Sequence, residues 1–141
     1  MKEFEDAFQA GILAARAVEY KRHEIRSVLN EFSASLELAT NGALGVELKT
    51  LMASTNALRA LLDPSPRKQW LAVVIKATPA KSESVAEWRQ SPDGYPCTIV
   101  TADQEYVCFD RVALKDELAR LAASPQMGSV IVRLLKLREE G

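Results

Sequence analysis

Cys97, Cys108 and His23 are the chain's only cysteines and its only histidine, and no other local cluster carries a reactive pattern. Two thiols can form a disulfide, supply half of a metal site, or serve as small core residues. A zinc site needs about four ligands at short spacings. The cysteine pair and a histidine more than seventy positions away do not supply them. His23 has the ionisation range of a general base, and Glu19 or Glu24 could orient it. Yet Glu19, four residues before it, makes an ordinary surface pair on a helix. No nucleophile stands beside it. There is no glycine-rich phosphate loop, no nucleophile elbow and no metalloprotease motif. The sequence therefore assigns no catalytic residue, no metal ligand and no cofactor. An enzyme would have to assemble a site from dispersed residues such as Trp70, Tyr106, His23 and nearby acids.

The choice between disulfide and buried thiols depends on register in GYPCTIVTADQEYVCF, residues 94–109, which reads as a hairpin of 96–101 and 105–109. A turn on Asp103-Gln104, or the four-residue loop 102–105, sets Ile99 opposite Cys108 and Cys97 opposite Asp110. The cysteines are then diagonal, with α-carbons about 7 to 8 Å apart, outside the usual reach of a disulfide. Direct opposition needs a tight turn on Ala102-Asp103, which lacks the glycine or asparagine such turns favour. Two small buried thiols in a reducing compartment is the expectation.

These residues must be positioned by the surrounding elements. Phe4, Phe8, Gly11, Ala15, Val18, Arg22, Ile25, Leu29, Phe32, Leu36 and Ala39 recur at alternating steps of four and three, with Arg22 the one polar member. That period predicts a helix over 2–40, stopped by Asn41-Gly42. Residues 32–48 also alternate with period two, so a hairpin through Thr40-Asn41-Gly42 competes; the leucine, alanine and glutamate content favours the helix. A strand over 44–51 and a short helix over 56–62 follow, then the loop Asp63-Pro64-Ser65-Pro66-Arg67-Lys68. WLAVVIKA (70–77) reads as an interior strand covered on both faces, and 83–89 as another strand. Asp110 caps a helix over 111–123, and Ser124-Pro125 starts the last one. The expectation is a single α+β domain: a long N-terminal helix (1–41), a mostly antiparallel sheet of four to five strands (44–110) and two C-terminal helices (111–140).

At 141 residues, 48% apolar, the chain can bury a core without metals or disulfides. Eighteen basic residues against nineteen acidic ones create no global field for a nucleic acid or an anionic membrane. A local basic patch would have to come from Arg67, Lys68, Lys76 and Lys81. No stretch approaches the roughly 18 apolar residues of a membrane span, and the start does not read as a signal peptide, so a cytoplasmic setting is expected.

A helix of this length, about 58 Å, outruns a compact domain whose radius of gyration is about 14 Å. Its first turns must overhang the body or lie back across the sheet. An overhang would leave Phe4, Phe8, Ile12 and Ala15 in need of a partner, most simply a second copy of the chain. Trp88 and Tyr95, beside the Pro92-Asp93-Gly94 turn, carry two readings: packing over the sheet end, which burial tendencies favour, and a second candidate partner surface. These features, with the missing catalytic motifs, point to a noncatalytic protein-binding module.

Overall fold

The computed structural model describes residues 1–50 and 68–140. The short helix expected over 56–62 and most of the proline loop lie outside the described residues. The fold is α+β as the pattern predicts: helix α1 (Lys2–Ala39), strands β1 (Leu44–Thr50), β2 (Gln69–Ile75), β3 (Thr78–Ser91), β4 (Gly94–Val100) and β5 (Glu105–Cys108), then helices α2 (Arg111–Ala122) and α3 (Pro125–Glu140). The strands form one antiparallel meander in the order β1-β2-β3-β4-β5.

The helix reading of the first forty residues prevails over the hairpin. Asn41 and Gly42 adopt φ of 53° and 81°, the left-handed conformation that ends a helix. The Gly42 amide returns to the Glu37 carbonyl at 2.7 Å. Thr40 secures the corner: its hydroxyl donates to the Leu36 carbonyl and accepts from the Leu44 amide. The chain therefore enters β1 with Leu44 buried.

One face of the sheet builds the core. Leu71, Val73 and Ile75 of β2 join Trp88 of β3, Cys97 and Ile99 of β4 and Cys108 of β5. Against them pack Ile25 and Val28 of α1, Leu114, Leu118 and Leu121 of α2, and Met127, Val130 and Leu134 of α3. On the opposite face, Ala72 and Val74 are also buried. On that face the Lys49 ammonium of β1 reaches Ser82 Oγ (2.9 Å) and the Pro79 carbonyl (2.7 Å) of β3.

β3 is longer than the expected 83–89. Ile75 pairs with Thr78, so the strand resumes immediately after Lys76-Ala77. Pro79 is tolerated because β4 pairs only with residues 87–91, leaving the other side of β3 without a strand neighbour at Pro79 among the described residues. A register shift places Val85 as an extra residue, and both Val85 and Ala86 are buried there.

The β4–β5 register corrects the sequence expectation. Cys97 stands directly opposite Cys108, and Ile99 opposite Tyr106. The hairpin does turn tightly on Ala102-Asp103. Neither Ala102 nor Asp103 takes the positive φ that favours glycine, and Thr101 braces the turn: its amide donates to the Gln104 carbonyl at 2.9 Å and its hydroxyl accepts from the Gln104 amide at 3.3 Å. Asp110 caps α2 as expected, accepting from the Ala113 amide at 2.8 Å. Asp110→Ala should cost about 1 kcal/mol, read as a lower urea midpoint with an unchanged slope.

Candidate functional site

α1 divides into two halves. Every residue from 1 to 17 is exposed, whereas Ile25 and Val28 are buried against the body. Phe4 is 66% exposed, Phe8 72%, Leu13 66% and Ile12 43%. Ala15 is exposed with them. Of the two arrangements weighed from the sequence, the overhang is the one found: the first four turns do not lie back on the sheet.

The division point is held by the turn between β3 and β4. Arg22, the polar intruder in the apolar stripe, donates from its guanidinium to the Pro92 carbonyl, 2.9 Å from Nε. The Tyr95 hydroxyl donates to Glu24 Oε1 at 2.7 Å. Gly94 has φ of 102°, and a β-carbon there would stand 2.8 Å from Cβ of Lys21. Only glycine suits both its backbone and its neighbour.

Trp88 and Tyr95 do not form the second partner surface the sequence suggested. Trp88 faces inward and is 2% exposed. Tyr95 packs against the core and spends its hydroxyl on Glu24, with burial the first cause of its raised pKa and the carboxylate adding to it. Both join α1 to the sheet, because alternation along β3 turns Trp88 to the helix-covered face while Glu87 and Arg89 point outward.

The residues of a dispersed catalytic site do not converge. Tyr106 sits on the covered face of β5, with the Arg120 guanidinium 5.8 Å from its ring centre. Trp70 belongs to the opposite face by alternation with Leu71. Its indole nitrogen is the one buried side-chain nitrogen or oxygen without a partner among the described residues. His23 lines a shallow dish on the outer side of α1 with Arg16, Glu19, Tyr20, Arg22 and Arg26. One member of the candidate basic patch is engaged elsewhere. Lys76 pairs with Glu37 at 2.8 Å, and that carboxylate raises its pKa. Arg67 lies outside the described residues.

Cys97 and Cys108 are free and fully buried. The distance argument against a disulfide no longer applies, since opposed residues stand about 4.5 to 5.5 Å apart, within bonding reach. Protonation is what quiets them, because the thiolate is the reactive form. Burial pushes the Cys97 thiol up to about 12, with Cys108 adding to it, and burial pushes Cys108 up to about 11, with Glu117 and Asp110 adding. An unfolded thiol ionises near 8.5. The fold therefore keeps protons that the unfolded chain loses. The stabilisation is complete below the unfolded value and is lost as pH rises through 11 to 12. Stability should fall between pH values of about 8.5 and 10.5, each thiol contributing about 1.4 kcal/mol per pH unit. Urea midpoints across that interval should fall less steeply for Cys97→Ala/Cys108→Ala. Equal slopes in the two proteins would remove the thiols as the cause.

One feature escaped sequence reasoning. The second half of α1, α2 and the start of α3 enclose an open cleft of about 410 Å³, floored by Phe32, Leu36, Leu118, Met127 and Ile131. Glu31 and Lys115 face each other across its rim at 3.4 Å. Ala119 and Ala122 line it and are exposed, so their small side chains hold it open.

No helix among the described residues is long and apolar enough to cross a membrane. Compared with protein-family models, with curated proteins and with solved structures, the chain finds no match in any of the three.

Proposed function

We propose that this chain is a noncatalytic protein-binding module that works through the projecting half of α1, and that its first partner is a second copy of itself. The supporting observation is the apolar stripe Phe4, Phe8, Ile12 and Ala15, which the body leaves uncovered. Two phenylalanines about two-thirds exposed on one helix face amount to a hydrophobic patch of the kind that marks an interaction site. The helix is rigidly presented, because the Arg22, Glu24 and Gly94 contacts fix it where it leaves the body, and a pre-ordered surface loses little entropy on binding. Small accessory, immunity-like and chaperone-like proteins act by such surfaces. Two unlinked thiols suit a reducing, cytoplasmic setting.

Sedimentation at micromolar concentration tests the reading. The expected mass is about 31 kDa, twice the 15.5 kDa of one chain. A strictly monomeric protein over that range would sink the self-association.

A further inference from the structure

The projecting stripe and the cleft are both uncovered, and one arrangement covers both. We propose that the overhang of each α1 lies in the cleft of a second copy, alongside that copy's α1 and over its α2 and α3, in a two-fold dimer. This rests on reading the chain as a self-associating module and names the receptor surface.

The direction of the stripe is the first argument. Phe4, Phe8, Gly11, Ala15 and Val18 continue, with Arg22 the one polar member, into Ile25, Leu29, Phe32 and Leu36, which face the chain's own body. On a straight helix a seven-residue repeat drifts by about 20° per heptad, so the stripe turns by about 60° between the two halves. The overhang thus looks obliquely toward the side on which its own body lies, but beyond the body's end. Two α1 helices set antiparallel, side by side, and related by a two-fold near residue 20 bring the second body under that face. Layers of an antiparallel pair join a to d positions. In this heptad, position numbers summing to about 40 then meet, so Phe4 lies beside Leu36 of the second copy and Phe8 beside Phe32. Phe32 and Leu36 are the α1 floor of the cleft.

Reach and charge agree. From Phe4 to Ile12 the helix rises about 12 Å, and the α1 wall of the cleft, from Val28 to Ala39, runs about 17 Å. Glu3 and Glu5 in the first turn, with Asp6 beside them, make the entering end acidic. Lys115 offers a cation at the rim. Its contact with Glu31 is between side chains about half exposed, at 3.4 Å, and such pairs hold weakly.

Area decides against the simpler alternative, in which two overhangs pair only with each other. Phenylalanines bury about 150 to 250 Å² each. Phe4, Phe8 and Ile12 can thus remove about 400 Å² per overhang. A similar cleft area, doubled by symmetry, makes about 1,600 Å², the standard size of a stable interface. Overhangs paired alone would bury about half of that, the size of a lattice contact.

The test mixes Phe8→Cys chains with Ala122→Cys chains and adds a bismaleimide; the native cysteines are buried. A linked two-chain product should form in the mixture and in neither sample alone. Ala119→Arg, which fills the cleft from an exposed position, should sediment as one chain with an unchanged circular-dichroism spectrum. If Phe8→Cys links to itself and no mixed product forms, the overhangs pair with each other and the cleft proposal is overturned while the module stands. An Ala119→Arg protein that stays dimeric also overturns it. A wild-type monomer removes both readings.

Discussion

Phe8→Glu is expected to yield a folded protein that sediments as a single 15.5 kDa chain under conditions where the proposed dimer of the parent would sediment at twice that mass. Phe8 is 72% exposed within its own chain, so its loss leaves no cavity in the body. Glutamate is at least as good a helix former as phenylalanine, so α1 should keep its length. At the interface the change acts twice. It removes the burial of an aromatic side chain, about 1.5 to 3 kcal/mol per copy, and sets a carboxylate against apolar surface that cannot solvate it. Together these exceed about 3 kcal/mol, so the dissociation constant should rise at least about 100-fold. Circular dichroism and sedimentation give the two readings needed. A variant that unfolds would mean that the stripe packs inside its own chain. A variant that stays dimeric would place the contact elsewhere.

Trp88→Ala should produce the opposite pattern, a large loss of stability with no change of mass in the protein that remains folded. Trp88 heads the fully buried side chains by volume and stands opposite Ile99, with its indole nitrogen 3.3 Å from Gln90 Oε1. Truncating a buried tryptophan to alanine costs about 3 to 5 kcal/mol, a third or more of the stability of many domains of this size. Urea unfolding should show the midpoint fall accordingly. A cost below about 1 kcal/mol, or a change of oligomeric mass at full folding, would return Trp88 to the surface role that its neighbours Arg89 and Tyr95 suggested.

Trp88 also shows how far the sequence could be read. An aromatic residue in EWRQSPDGY looks surface-placed by composition, but strand alternation between outward Glu87 and Arg89 turns it inward. Period agrees with the packing that burial tendencies favoured for it. The long helix, the order of elements, the Asn41-Gly42 stop and the Asp110 cap were legible, because each depends on local backbone chemistry. The Cys97–Cys108 register was not, because the turn avoids the positive φ on which the glycine preference rests and is braced by the Thr101 hydroxyl, a contact that no turn preference encodes. The overhang could be anticipated from helix length against domain size. The cleft could not, since its walls come from three helices brought together only by the sheet.

The contacts at the β3–β4 turn make α1 a lever. With Ile25 as the buried pivot, Lys21 lies about 6 Å along the helix and Phe4 about 31 Å along it. A displacement at Lys21 is therefore magnified about fivefold at Phe4 by that rise per residue. Gly94, which admits Lys21 at a distance no β-carbon tolerates, thus aims a surface it never touches. A side chain at position 94 that pushed the helix aside by about 1 Å would swing the phenylalanines by about 5 Å, roughly half the spacing between packed helices. Partner choice can therefore be altered by changes in a turn distant from the contact, and insertions or substitutions at 92–94 should redirect the helix without unfolding it.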